Sequence, residues 1–206
     1  MTGFELPMFP LGSVLLPSTA IPLHIFEPRY RALARDCVEG DGTLGVVLIE
    51  RGSEVGGDDV RFDVGTRARI AEAAVLPDGR WVMAVVGQDR IRVEQWLPDD
   101  PYPRALVVPC DDRPAGPGDH ERRDDLDRVL RRTLGLMSEL GEGEGEAVAL
   151  DPDVEVATWQ AVALGPLGAM DAQRVLGTDG AGARLELVLT MLEEEAIVLA
   201  QRLAGG

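Results

Sequence analysis

Ile21-Pro22-Leu23-His24-Ile25-Phe26-Glu27-Pro28-Arg29-Tyr30-Arg31 decides the fold, because in one short stretch a strand gives way to a helix. Ile21 to Phe26 is an apolar run of strand length. Pro28 then suits the first helical position, where a missing N–H costs nothing. Tyr30, Leu33, Ala34, Cys37 and Val38 recur at helical spacing, and Gly40 suits the stop. Cys37 falls on the buried stripe of that helix, so a core thiol is expected there.

Around this corner the chain reads as short strands punctuated by turns. The runs are Ser13 to Leu16, Leu44 to Glu50, Arg67 to Leu76, Arg80 to Val86, Ile91 to Trp96 and Ala105 to Val108. Leu76-Pro77-Asp78-Gly79-Arg80 carries the Asp-Gly pair that supplies the positive φ angles of a tight hairpin. Many short strands with frequent turns predict a small closed or half-closed barrel with one embedded helix.

Arg113-Pro114-Ala115-Gly116-Pro117-Gly118-Asp119 is rich in Pro and Gly, and the periodicity changes after it. Residues 1–112 are therefore expected to form a β domain, 113–119 a linker and 120–206 a helical subdomain. Leu126, Leu130, Leu134 and Met137 mark one amphipathic helix. Asp151-Pro152 suits the start of a second, which ends near Gly165-Pro166. A short turn is expected over Asp171 to Leu176. Leu185, Leu189, Leu192, Ala196, Leu199 and Leu203 form the stripe of a last helix, with Asp179 as its expected cap.

Composition narrows the chemistry. All 20 basic residues of the 206 are arginine. Without lysine there is no Schiff-base chemistry, no P-loop phosphate grip and no Ser-Lys peptidase dyad. The 36 acidic residues bring the formal charge to -16, which repels phosphate backbones on average. Cys37 and Cys110 are too few and too far apart for a disulfide framework. The early apolar stretch is broken by Pro7, Pro10, Pro17 and Pro22, unlike a signal peptide. A cytoplasmic protein is expected.

Leu6-Pro7-Met8-Phe9-Pro10-Leu11-Gly12, Val14-Leu15-Leu16-Pro17 and the Ile21 to Arg31 corner together resemble the opening signature of the Lon N-terminal, or substrate-binding, domain family. Gly45 to Ile49, Val64 to Ile70, Asp78-Gly79-Arg80, Gly87 to Val93 and Pro101-Tyr102-Pro103 match further pieces in order. The resemblance covers residues 4 to 112 closely. It extends more weakly through Gln173 to Leu176 and Arg184 to Leu187. Ser18-Thr19 departs from it, standing where the family has a Gly-rich turn.

The resemblance implies an α+β fold: a PUA-like β-barrel with one embedded helix, followed by a C-terminal helical bundle. It also implies a role in engaging client polypeptides, in the setting of a protease or chaperone system. A complete Lon protease carries ATPase and Ser-Lys peptidase modules, so a stand-alone, non-catalytic recognition module is expected, without cofactor.

The corner is the natural place for a binding surface, since His24, Phe26, Glu27, Arg29 and Tyr30 put polar groups and aromatics side by side. A Glu27 to Arg29 interaction that simply pins the corner is the competing reading. His24, His120, Cys37 and Cys110 lack zinc-motif spacing, so no metal is expected. The Gly141 to Glu146 repeat reads as a helix connector rather than a phosphate loop. RNA binding is the rival from another class, through Arg61, Arg67, Arg69, Arg90 and Arg92. The acidic total and the 4% aromatic content argue against it. Neither nucleic acid nor a membrane is an expected partner.

Overall fold

The computed structural model describes residues 3–51, 60–110, 112–143 and 149–205. Among them the chain is mixed α+β. In order come β1 (Phe4–Leu11), β2 (Ala20–Ile25), α1 (Pro28–Glu39), β3 (Thr43–Arg51), β4 (Val60–Val75), β5 (Trp81–Leu97) and β6 (Arg104–Pro109). Four helices follow: α2 (Pro117–Glu139), α3 (Val154–Leu164), α4 (Ala169–Gly177) and α5 (Ala181–Gly205). The chain divides into two compact units, Met1–Cys110 and Asp111–Gly206.

In the first unit the strand order is β2-β5-β4-β3-β1-β6, and β6 also pairs with β5. The path of hydrogen-bonded neighbours from β5 through β4, β3, β1 and β6 thus returns to β5. The 17-residue β5 makes this possible by changing partner along its length. Trp81 to Val86 pair with β2, Ile91 to Leu97 pair with β6, and β4 runs beside both parts. Two runs read from the sequence as separate strands, Arg80 to Val86 and Ile91 to Trp96, are therefore one. Gly87, between them, serves a close approach. A Cβ there would collide with the carbonyl oxygen of Leu16.

The expected strand at Ser13 to Leu16 is absent, and β1 precedes it instead. Leu15 and Leu16 are apolar because they are buried, and other groups serve the backbone of their loop. The Thr66 hydroxyl donates to the Leu15 carbonyl at 2.5 Å, and the Ser18 N–H donates to the Gly87 carbonyl at 2.9 Å. β1 carries Pro7 and Pro10, and proline cannot donate to a ladder. Among the described residues each half of β1 has a strand on one side only. Phe4 to Pro7 pair with β6, and Met8 to Leu11 pair in parallel with β3. That leaves both prolines an open side.

The helix α1 matches its expected span, and Tyr30, Leu33, Ala34 and Cys37 are buried. Val38 turns outward, 43% exposed. The buried face packs into a core with Phe9, Leu15, Leu23, Ile25, Leu44 and Met83. A second cluster, which includes Leu6, Met8, Val47, Ile91, Val93 and Val107, lies at the β6 side.

In the second unit α2 starts at Pro117, inside the stretch expected to be a linker. It buries Leu126, Leu130 and Thr133 and packs on α5, while α3 packs on both. Leu134 and Met137 are half-buried. The cap of α3 is Asp153 rather than Asp151. Its carboxylate accepts the N–H groups of Glu155 and Val156 at 2.9 and 3.0 Å. A full helix, α4, replaces the expected turn. In α5 the first helical bond runs from the Arg184 N–H to the Gly180 carbonyl, so the cap position is Gly180 and not Asp179. The expected stripe of α5 is buried from Leu185 to Leu199. The Gly141 to Glu146 connector passes out of the described residues after Gly143.

Candidate functional site

The corner between β2 and α1 is built from the chain's own constraints. Glu27 sits at the cap position of α1 with φ -67° and ψ 138°, an extended conformation that residues before proline favour. Its carbonyl accepts the first helical bond, from the Arg31 N–H at 2.9 Å. Its carboxylate makes no helix cap and instead accepts from the Arg29 Nε at 3.1 Å. The Arg29 guanidinium lies 4.5 Å over the Tyr30 ring, and that ring packs on Phe9 with centroids 4.5 Å apart. Tyr30 is 4% exposed. Three of the five expected contact residues, Glu27, Arg29 and Tyr30, thus fasten the corner to the core.

The other two, His24 and Phe26, are exposed. Phe26 keeps 55% of its surface in solvent, a large apolar side chain left outside the core. Beside it opens a cleft of about 480 Å³, whose lining includes His24, Phe26, Glu27 and Tyr30. Arg29 is not part of that lining. The opposite wall was not foreseen: Phe9, Pro10, Leu11 and Ser13 come from β1 and the loop after it. Ser13 and His24 share the cleft, but the carboxylate of Glu27 is engaged by Arg29 rather than by the imidazole.

Cys37 is in the core, 3% exposed. Burial, helped by the charges of Asp41 and Asp36, pushes its thiol up to about 12. That keeps it protonated and a poor nucleophile at neutral pH. Among the described residues no group of three or more His, Cys, Asp or Glu side chains could hold a metal ion.

The five arginines of the rival reading are distributed among separate tasks. Arg61 lies over the Trp96 ring at 4.4 Å, Arg67 pairs with Asp89, and Arg90 is buried. Arg69 and Arg92 are exposed.

A mixed sheet that carries one helix at its cleft, followed by a helical unit, is a fold already seen in solved structures. The crystal structure of a Lon N-terminal domain protein from Xanthomonas campestris matches at a TM-score of 0.67 and 30% identity, covering 91% of this chain and 98% of that one. The N-terminal domain of a Mycobacterium avium complex Lon protease matches at a TM-score of 0.69 and 14% identity, covering 92% and 98%. Residues 5–194 match the model of the ATP-dependent protease La (LON) substrate-binding domain, and the chain belongs to that family. Lon protease 2 of Myxococcus xanthus is 28% identical over 200 residues, 94% of this chain and 24% of that protein. The Lon protease of Cytophaga hutchinsonii is 32% identical over 105 residues, half of this chain and 13% of that protein. The chain therefore spans a quarter or less of the length of these curated relatives.

Proposed function

We propose that the unit Met1–Cys110 uses the cleft beside α1 to recognise exposed apolar segments of client polypeptides, without performing chemistry on them. The observation that carries this reading is a concave, largely apolar cleft at the corner where His24, Phe26, Glu27, Arg29 and Tyr30 meet. Small numbers of polar groups in an apolar concavity are the usual form of a recognition site. In this reading Phe26 and His24 touch the client, while Glu27, Arg29 and Tyr30 hold the corner that presents them.

Membership of the Lon substrate-binding family supports a polypeptide as the ligand and a cytoplasmic protease or chaperone system as the setting. The returning path of strand pairings supports a PUA-like barrel as the scaffold, with the segment before α2 as the joint to the helical unit. Nucleic acid is disfavoured, because three of the five candidate arginines are occupied by a ring, a carboxylate or the core, and the net charge is -16. Among the described residues no helix is long and apolar enough to cross a membrane.

Titration of a fluorescent apolar peptide tests the reading. Affinity in the micromolar range or weaker is expected, since ordering a flexible client offsets much of the burial. Phe26→Ala should weaken it by about tenfold, roughly 1.4 kcal/mol, with an unchanged melting temperature because Phe26 lies outside the core. Binding that is indifferent to Phe26 would remove the cleft from the account.

A further inference from the structure

We infer that the cleft takes its occupant as an added β-strand, an extended polypeptide segment hydrogen-bonded through its main chain to the outer edge of β2. This rests on the client-binding reading above and specifies the conformation of the client.

The edge is open. β2 ends the strand order and, among the described residues, pairs with β5 alone. In an antiparallel pair, residues alternate between those that exchange bonds with the partner strand and those whose N–H and C=O point away. The Gly87 N–H donates to the Thr19 carbonyl at 2.9 Å, which makes that pair a bonded one. The register continues through Ile21↔Val85, Leu23↔Met83 and Ile25↔Trp81, so these three turn their main chain toward β5. Pro22 and His24, between them, turn theirs outward. Proline at such a position sacrifices no bond to β5, which agrees with where Pro22 is found, and the outer edge still offers the carbonyls of Pro22 and His24 and the N–H of His24.

Pro22 and His24 also line the cleft, so the outward-facing edge and the concavity coincide. Across it, the part of β1 that pairs with β6 is Phe4 to Pro7. The cleft-lining end of β1 has β3 on one side and no second strand among the described residues. An extended chain is the occupant whose chemistry answers an unpaired strand edge, as it offers carbonyls and N–H groups at the same repeat. A helix has its main chain already satisfied. A second copy of β2 fits less well, because Pro22 removes a donor from both edges at once. Main-chain recognition of this kind reads conformation and leaves side-chain choice loose, as a binder of unfolded chains requires.

The test uses the full chain and a fluorescent peptide of alternating valine and serine, in three forms: unmodified, N-methylated on the valines only, and N-methylated on the serines only. A strand bound by one edge turns the N–H groups of alternate residues toward the protein. One methylated form should therefore lose at least about tenfold in affinity while the other stays within about twofold of the parent. Equal retention or equal loss in the two methylated forms overturns strand addition and leaves a side-chain groove. Failure of the unmodified peptide to bind overturns the client-binding reading itself. Concentration-dependent dimerisation that the peptide competes away would assign the edge to a second copy and overturn the proposed occupant.

Discussion

Ser18 holds a φ of 60°, a left-handed conformation that a side chain disfavours and that glycine adopts freely. The resemblance implies a Gly-rich turn here, but the Ser18 N–H reaches the Gly87 carbonyl and the loop keeps its path with a serine. Ser18→Gly should therefore stabilise the protein by about 0.5 to 1 kcal/mol, measured as a higher urea midpoint at an unchanged slope. Gly87→Ala should act in the opposite sense and cost about 2 to 3 kcal/mol, because the new Cβ meets the Leu16 backbone rather than a side chain that can move. A Gly87→Ala protein as stable as its parent would mean that the loop after β1 does not cross β5 there.

At the scale of elements, the second unit is organised by one buried cation. Arg184 of α5 is 1% exposed. It donates to Asp112 at 2.8 Å, to the Glu155 carboxylate of α3 at 2.7 Å and to the Thr178 carbonyl after α4 at 3.1 Å, and its guanidinium lies 4.8 Å over the Trp159 ring. Arg184→Ala removes all four contacts and leaves two carboxylates facing each other, at a cost of about 3 kcal/mol. Glu155→Gln should cost less than about 1 kcal/mol, since that carboxylate is 41% exposed and water screens its charge. Thermal denaturation of the two variants decides the matter, and the reverse order would contradict the assignment. Periodicity reveals α2, α3 and α5 but neither α4 nor this tie, because Asp112, Glu155 and Arg184 are distant in sequence and carry no periodic signal. The same reason explains β1 and β5. Local rules put α1, β2, β3 and β6 close to their observed places, whereas the two prolines of β1 and the glycine inside β5 make sense only once the neighbouring strands are known. Half of the cleft was legible for the same cause: His24 to Tyr30 are consecutive, while Phe9 to Leu11 arrive through pairing with β3.

At the scale of the whole molecule, the proposal to be tested is that the sheet-bearing unit recognises extended polypeptide at the corner between β2 and α1. If burial of apolar surface drives recognition, 1 M salt should leave the affinity within about threefold, whereas attraction through the -16 charge would be screened away. The most direct measurement is amide hydrogen exchange with and without a saturating apolar peptide. Slowed exchange at His24 and its neighbours along the cleft, with the α2 to α5 amides unchanged, is the predicted result. Saturable binding whose protection falls only within Asp111–Gly206 would contradict the account.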